Sequence, residues 1–283
     1  MRILIFNWKD LAHPQAGGAE VFTEEVARAL VRRGHDVTLH AATVGGRPER
    51  ELVEGVRVVR AGGRLGVYRA ARSFWEREGR GSFDVVVDEI NTRPFLTPRW
   101  VDDTPVVALI HQLAREIWFY QTPFPLSVAG RYLLEPWWLR LYRDVPALTV
   151  SPSSAESLKR HHGWRDVTVV PEGSTPHPIP DVPKEGGPTV AFLGRLVAMK
   201  RPADAIEAVR ILKQGVPEAR LWLIGEGPLS ARLRQTAPAD VTFLGRVGRK
   251  ELRERLARAH VLVATSVREG WGLNVSEAAA CGT

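Results

Sequence analysis

Short apolar runs alternate with helix-patterned stretches along this chain, and that alternation leaves few folds open. Residues 3–7, 36–41, 56–60, 85–87, 106–110, 147–150 and 167–170 read as strands. They are rich in Val and Ile and do not alternate apolar with polar, so both faces of each strand are covered, as in a mostly parallel sheet. Between the first two runs, over residues 19–33, Val21, Phe22, Val26, Ala29 and Leu30 share one helical face, and Gly34 ends the helix. Strand, helix and parallel strand in series build a doubly wound domain, here residues 1–170.

The pattern then breaks. Residues 171–188 hold six prolines (Pro171, Pro176, Pro178, Pro180, Pro183, Pro188) and the glycines Gly173, Gly186 and Gly187, which reads as a linker and a domain boundary. Beyond it the alternation restarts over residues 189–283. Strands are expected at 189–193, 220–224, 241–244 and 261–264, and helices at 203–213, 229–235, 250–258 and 273–280. Two α/β halves joined by a Pro-rich hinge are expected to face a cleft, the usual seat of a ligand. The chain stops at Thr283, directly after Gly282, with few strands and an uncovered last helix. The second domain is therefore expected to be incomplete, with exposed sheet edge and apolar surface.

Composition narrows the setting. A length of 283 residues suits two domains, and one cysteine, Cys281, rules out an internal disulfide and fits a reducing, cytoplasmic compartment. The apolar N-terminal run turns polar at Asn7, too early for a signal peptide, and no stretch nears the ~18 apolar residues of a membrane span. The net charge of +7 is uneven: residues 1–180 carry 23 basic against 21 acidic side chains, and residues 181–283 carry 16 against 11. A basic second half suits an anionic ligand, although solvated helix faces give the same count. Nucleic acid is not expected as a partner, because the basic half lacks interleaved aromatic repeats.

Four segments carry candidate chemistry. In the stretch from Glu269 to Glu277, two carboxylates stand eight residues apart. The second lies on the final helix, and Gly270, Gly272, Leu273 and Asn274 form the loop and first turn, where backbone N–H groups can meet an anion. In Gly194–Pro202, Arg195 and Lys200 follow a strand, at the end of a parallel sheet where ligands bind. A guanidinium fork and an ammonium point charge there suit a diphosphate. Gly17 and Gly18 open the first helix and let a ligand approach the backbone, without the spacing of a dinucleotide fingerprint. His111 closes the strand at 106–110 and would point toward the cleft. Each segment also has a plain alternative: a loop glycine pair, surface charge, or a structural histidine.

Taken in this order, the four segments resemble the retaining family 4 of the GT-B glycosyltransferases. That family carries a Glu-x7-Glu motif (Glu269, Glu277), an Arg and a Lys five apart (Arg195, Lys200), a glycine pair at the first helix and a histidine after a middle strand of the first domain. The step Val150-Ser151-Pro152-Ser153-Ser154 and the stretch Val169-Val170-Pro171-Glu172-Gly173 are smaller likenesses; Glu172 stands where the family often has Asn. The resemblance implies a GT-B fold of two Rossmann-like domains. It also implies retaining, hexosyl-type transfer from a UDP- or GDP-like nucleotide sugar in glycan biosynthesis, with no metal and no resident cofactor. It implies that Arg195, Lys200 and amides near Gly18 stabilise the leaving diphosphate, that Glu269 holds the donor sugar and that Glu277 takes the ribose hydroxyls. His111 would sit beside the reacting carbon. The acceptor is not named.

Residues 117–142 add Ile117, Trp118, Phe119, Tyr120, Phe124, Tyr132, Trp137, Trp138 and Tyr142, with Arg131 and Arg140 among them. Trp, Tyr and Arg on an amphipathic helix suit a peripheral site on an anionic membrane surface and a lipid-linked acceptor; a helix packed in the core is the plain alternative. Two rival functions stay open. One is a GT-B nucleotide-sugar epimerase. The other is a nucleotide-sugar-binding remnant without activity.

Overall fold

The computed structural model describes residues 1–173 and 178–283; Pro176 of the expected linker lies outside them. The chain divides into two compact units, Met1–Glu172 and Gly173–Thr283.

The first unit is built on eight strands: β1 (Arg2–Phe6), β2 (Asp36–Ala41), β3 (Arg50–Val53), β4 (Val56–Arg60), β5 (Val85–Glu89), β6 (Val106–Ile110), β7 (Ala147–Thr149) and β8 (Val167–Val169). Their order across the sheet is β3-β4-β2-β1-β5-β6-β7-β8, and every pair but β3–β4 is parallel. Helix α1 (Gly18–Arg32) covers one face and α2 (Val67–Phe74) the other. Period-two alternation sorts the central strand between them. Ile3 and Ile5 pack with Ala27, Val37, Leu39 and Val58, while Leu4 and Phe6 pack with Val67, Ala71, Trp75 and Val86. α1 ends as Gly34 takes a positive φ of 83°, a conformation that glycine adopts without strain.

Two features depart from the sequence reading. The hairpin β3–β4, closed by Glu54 and Gly55 with φ of 49° and 86°, adds an antiparallel edge strand. And residues 117–142 do not form one helix. They break into α3 (Trp118–Gln121), α4 (Leu126–Ala129), a π-helical stretch at Gly130–Leu134 and α5 (Glu135–Arg140). Pro123 and Pro125 interrupt the backbone ladder, and Gly130 lies so close to the Trp118 ring that a Cβ there would stand 2.2 Å from it. α6 (Pro152–His162) then starts on a Ser151 side-chain cap and leads to β8.

The second unit has the parallel strands β9 (Thr189–Leu193), β10 (Arg220–Ile224), β11 (Val241–Gly245) and β12 (Val261–Leu262), in the order β11-β10-β9-β12. Among the described residues its α-helices are α7 (Pro202–Leu212), α8 (Ser230–Thr236), α9 (Arg249–Arg258) and α10 (Leu273–Ala279). Val209 and Leu233 of α7 and α8 bury against Val190, Leu221 and Leu223 on one face, and Leu256 and Ala278 of α9 and α10 against Ala191 and Ile224 on the other.

One buried acid shapes the first unit away from any ligand chemistry. Asp88 accepts hydrogen bonds from the Phe95 amide (3.2 Å), the Thr97 amide (3.3 Å), the Thr97 hydroxyl (2.8 Å) and the Tyr142 hydroxyl, so the chain from β5 to β6 wraps around it. Burial pushes this carboxyl up, and these donors oppose the push. Tyr142→Phe removes one donor from a buried acceptor. We expect a loss of about 1–3 kcal/mol, read as a lower urea midpoint with an unchanged slope.

Candidate functional site

In each unit, a strand order that reverses direction beside the first strand leaves a crevice at the carboxyl ends of two neighbours, where loops diverge to opposite faces. In the first unit the neighbours are β1 and β5, and in the second β9 and β12. Most of the candidate residues lie on the loops that leave these strands.

At the first unit's switch point the chain leaves β1 through Asn7, which is fully buried. Glu89, also fully buried, ends β5. One Glu89 oxygen accepts from the Thr23 hydroxyl of α1 at 2.6 Å, and the other accepts from Asn91 at 3.3 Å. Asn91 also donates to Asn7 at 3.1 Å. His111, just past β6, lies between two carboxylates: its Nδ1 is 2.7 Å from Glu172 and its Nε2 3.5 Å from Glu89. The Phe22 ring stands edge-on to the imidazole at 5.2 Å, and the Ser154 hydroxyl donates to the His111 carbonyl at 2.9 Å. Burial alone would lower the pKa of this ring. The hydrogen bonds and charges of Glu172 and Glu89 outweigh burial and raise it to about 9, so His111 is an imidazolium at neutral pH.

Gly17 and Gly18 open α1 beside this network. The Gly17 amide donates to the carboxylate of Glu20 at 2.6 Å, and Glu20, buried, also pairs with Lys9 at 3.1 Å. The first helical turn therefore carries an anion of its own making, and the Gly17 N–H is already used. Lys9 in turn donates to the Gln15 carbonyl at 2.7 Å, and Glu24 accepts from the Leu11 amide at 3.2 Å. The long loop between β1 and α1 is thus tied down by side chains of both its ends.

In the second unit, Lys200 and Glu269 form an ion pair across 69 residues of sequence, and both are partly buried. Two further ties hold their loops together. The Thr265 hydroxyl donates to the Lys200 and Arg201 carbonyls at 2.9 Å each, and the Val267 amide donates to the Met199 carbonyl at 2.9 Å. Asn274, in the first turn of α10, donates to the carbonyl that ends β9, Leu193, at 3.1 Å. Gly272 precedes it with φ of 90°, a value that glycine alone takes freely. Two neighbouring turns approach backbone to backbone: a Cβ on Gly225 would stand 2.1 Å from the Gly194 carbonyl oxygen, and one on Gly227 2.5 Å from that of Leu196.

Arg195 is exposed, and no hydrogen bond or ion pair joins it to Lys200 among the described residues. Gly270 lies in the loop between Glu269 and α10. Glu277 is likewise exposed and has no hydrogen bond to Glu269; its charged neighbours are Arg249 and Arg253 of α9. Nearby protein pushes its carboxyl up and the two arginines pull it down, and its exposure to water weakens both effects. So Lys200 and Glu269 meet and Asn274 holds the end of β9, while among the described residues no hydrogen bond or ion pair joins Arg195 or Glu277 to that pair. Sequence reasoning missed Glu89, Glu20, Asn7 and Asn91, and drew nothing from Glu172. The available signal was Asp88-Glu89 closing an otherwise apolar strand.

Residues 16–176 match the sequence profile described as Glycosyltransferase Family 4, and residues 178–283 match that described as Glycosyl transferases group 1. The chain belongs to glycosyltransferase family 4. Glycogen synthase of Mycobacterium tuberculosis (strain ATCC 25618 / H37Rv) is 26% identical over 328 residues, which covers 100% of this chain and 77% of that protein. D-inositol 3-phosphate glycosyltransferase of Xylanimonas cellulosilytica is 28% identical over 325 residues, covering 95% of this chain and 74% of the relative. Among solved structures, sucrose-phosphate synthase from Thermosynechococcus elongatus superposes with a TM-score of 0.78 at 19% identity, over 100% of this chain and 79% of that one. The fold is GT-B, with two Rossmann-like α/β units of which the second is smaller. Family 4 enzymes transfer a sugar from a nucleotide-sugar donor, and this chain is one of them.

The His111 arrangement sets a pH dependence. The folded value of about 9 lies above the ordinary 6.5, so its contribution to stability is complete below pH 6.5 and is lost as pH rises through 9. We expect urea unfolding to show a loss of about 3 kcal/mol from this group across that window. His111→Gln should flatten the profile there, and an equal pH slope in the variant would mean that the ring is neutral in the folded protein.

Proposed function

We propose that this protein is a retaining hexosyltransferase that binds its nucleotide-sugar donor through the second unit, with Lys200 and Glu269 at the centre of the site. The observation that carries the reading is their ion pair at the β9–β12 switch point, on loops pinned by Thr265, Val267 and Asn274. A diphosphate carries more negative charge and more acceptor oxygens than one carboxylate, and Lys200 can turn to it from Glu269 without leaving the crevice. Arg195, exposed and at the same sheet end, adds a guanidinium fork. Glu269, relieved of Lys200, holds the hydroxyls of the donor sugar, and Glu277 takes the ribose hydroxyls. The loop from Gly270 through Gly272 to Leu273 and Asn274 lets the donor approach the backbone.

In the reaction the bond between the anomeric carbon and the diphosphate oxygen breaks, and the acceptor hydroxyl oxygen forms the new bond on the same face. The acceptor proton passes to the leaving phosphate. Charge grows on that phosphate as the bond stretches, and Arg195 and Lys200 stabilise it. In the first unit, His111 is the group that touches the donor sugar, as an imidazolium oriented by Glu89 and Glu172. With Gly17 already bonded to Glu20, backbone contact to the donor falls to Gly18 and the amides after it. No step of this scheme routes through a metal. The lone Cys281 and the aromatic segment at 117–142 favour work on the cytoplasmic face of a membrane, with a lipid-linked acceptor.

The test is calorimetric titration of UDP, GDP and ADP and their sugar conjugates, beside a thermal-shift series. We expect one nucleotide to bind and raise the melting temperature. Lys200→Ala should weaken it about 10- to 100-fold, the loss of one charge-assisted hydrogen bond. Glu277→Ala should weaken the nucleoside diphosphate and the free nucleoside alike, whereas Lys200→Ala should spare the nucleoside. A cooperatively folded protein that binds none of these would sink the donor-site reading.

A further inference from the structure

Two arginines of the first unit gather at one tyrosine without an acid to pair with. Arg93, on the loop that leaves β5, has a buried Nε with no hydrogen-bond partner among the described residues. Its guanidinium carbon lies 4.1 Å from the centre of the Tyr68 ring. Arg64, exposed on the loop that leaves β4, acts with Arg93 on the Tyr68 hydroxyl, the charges of both pulling against its burial. Arginines elsewhere in the unit meet acids: Arg57 meets Asp36, Arg60 meets Asp10 and Glu51, Arg72 meets Glu76 and Arg80 meets Asp102. The acid that acts on the same hydroxyl is Asp88. It is enclosed by the amides of Phe95 and Thr97 and the hydroxyls of Thr97 and Tyr142, and Arg93 is not among its donors.

The backbone holds Arg93 in place at a cost. Thr92 before it takes a φ of 74°, a left-handed value that a β-branched residue keeps only under constraint. The Arg93 amide donates to the Asn91 carbonyl at 3.0 Å, and the Asn91 side chain bonds Asn7 and Glu89. The turn is thereby tied to the network around His111. Tyr68 is fixed in turn, its ring 4.8 Å from that of Phe95. On the Arg64 side, Gly62 takes a φ of 71°, and a Cβ there would stand 2.6 Å from the Gly66 carbonyl carbon. A Cβ on Gly63 would meet nothing within 4 Å, so the space beside Arg64 is open. Both loops leave the carboxyl ends of parallel strands, where ligands of such sheets bind.

We propose that Arg64 and Arg93 bind a phosphate monoester carried by the acceptor, with Tyr68 as the platform that holds the Arg93 guanidinium. Two guanidinium groups without counter-charge match a dianion, and their forks match its oxygens. A phosphate diester, with one charge, leaves one of the two cations unmatched. The buried Arg93 Nε–H gains the acceptor that the folded chain does not give it. Only the word acceptor rests on the transferase reading; the phosphate site stands on its own residues.

The Nε–H of Arg93 is its own reporter. In the ¹⁵N-labelled full chain its signal is assigned by its loss in Arg93→Lys, and glycerol 3-phosphate is titrated in at constant ionic strength. We expect the signal to move and saturate, and the diester dimethyl phosphate to move it at least tenfold more weakly. Arg64→Gln should weaken the monoester about tenfold, the loss of one charge-assisted contact; Arg64 is exposed, so this variant keeps the fold. Arg93→Gln, followed by calorimetry, should weaken it at least as much. Lys200→Ala should leave the movement unchanged, which separates this site from a phosphate held in the second unit, and Arg64→Gln should leave the nucleotide thermal shift unchanged. Short-chain phosphatidic acid beside glycerol 3-phosphate tells the sources apart: tighter binding of the first supports the site with its phosphate on a lipid, and equal binding supports it with a soluble acceptor. An Arg93 signal that does not move overturns the proposal, as does a movement that sodium chloride reproduces or that Lys200→Ala abolishes. Nucleotide binding without phosphate binding overturns this inference alone, and phosphate binding without nucleotide binding overturns the donor-site reading alone.

Discussion

The first unit is organised by the need to satisfy a carboxylate that its central strands bury. Glu89 has no access to water, and an ionised carboxylate in that position is tolerable only with donors around it. Its partners come from different places in the sequence: the Thr23 hydroxyl on α1 and the Asn91 amide just past β5 donate to it, and the His111 ring just past β6 lies 3.5 Å away. Each must be brought to the same point, so the requirement fixes the start of α1, the turn after β5 and the exit from β6 relative to one another. Glu172 then holds the other side of the imidazole at the very end of the unit. A site with these connections is rigid because it is buried, not because its loops are short.

The second unit meets the same topological problem by other means. The loops that follow β9, β10 and β11 are shaped by backbone hydrogen bonds and glycine contacts, and the charged pair of Lys200 and Glu269 is partly open to water. The Leu196 amide donates to the Glu226 carbonyl at 3.1 Å, the Leu229 amide to the Leu196 carbonyl at 3.1 Å, and the Gly225 amide to the Gly245 carbonyl at 2.8 Å. These bonds set the loops without using a charged side chain, so Arg195, Lys200 and Glu269 stay available for a ligand. The first unit buries its charged side chains at the switch point, and the second leaves its pair partly open to water.

Much of the fold is legible in the sequence because buried parallel strands write themselves as unbroken apolar runs. The strands β1, β2, β4, β9 and β10 stand out this way, and Gly34 marks the end of α1 by its backbone freedom. β3 does not stand out: Arg50-Glu51-Leu52-Val53 is an edge strand with polar side chains, and its pairing follows from the Glu54-Gly55 turn more than from hydropathy. The aromatic stretch at 117–142 looks like one amphipathic helix because its composition is helical, whereas Pro123 and Pro125 cut it after Gln121 and the run from Leu126 to Arg140 passes through a π-helical stretch at Gly130–Leu134. At the candidate site, Lys200 and Glu269 are visible as residue types in a spaced motif, yet nothing in either segment says that they touch. Glu89 and Glu20 look like ordinary solvated acids, since burial is a property of the assembled sheet and leaves no mark on a single letter.

The glycine contacts beside β9 and β10 carry a lesson for anyone who would alter this protein. With 2.1 Å from a would-be Gly225 Cβ to the Gly194 oxygen, and 2.5 Å from one on Gly227 to that of Leu196, the two turns are spaced by the thickness of bare main chain. No side chain, however small, fits between them without prising the turns apart. A mutational library over this region can vary its charges freely, but the gauge set by these two positions admits no other residue. Any change to this region must therefore be written in the side chains around that gauge, at constant loop separation.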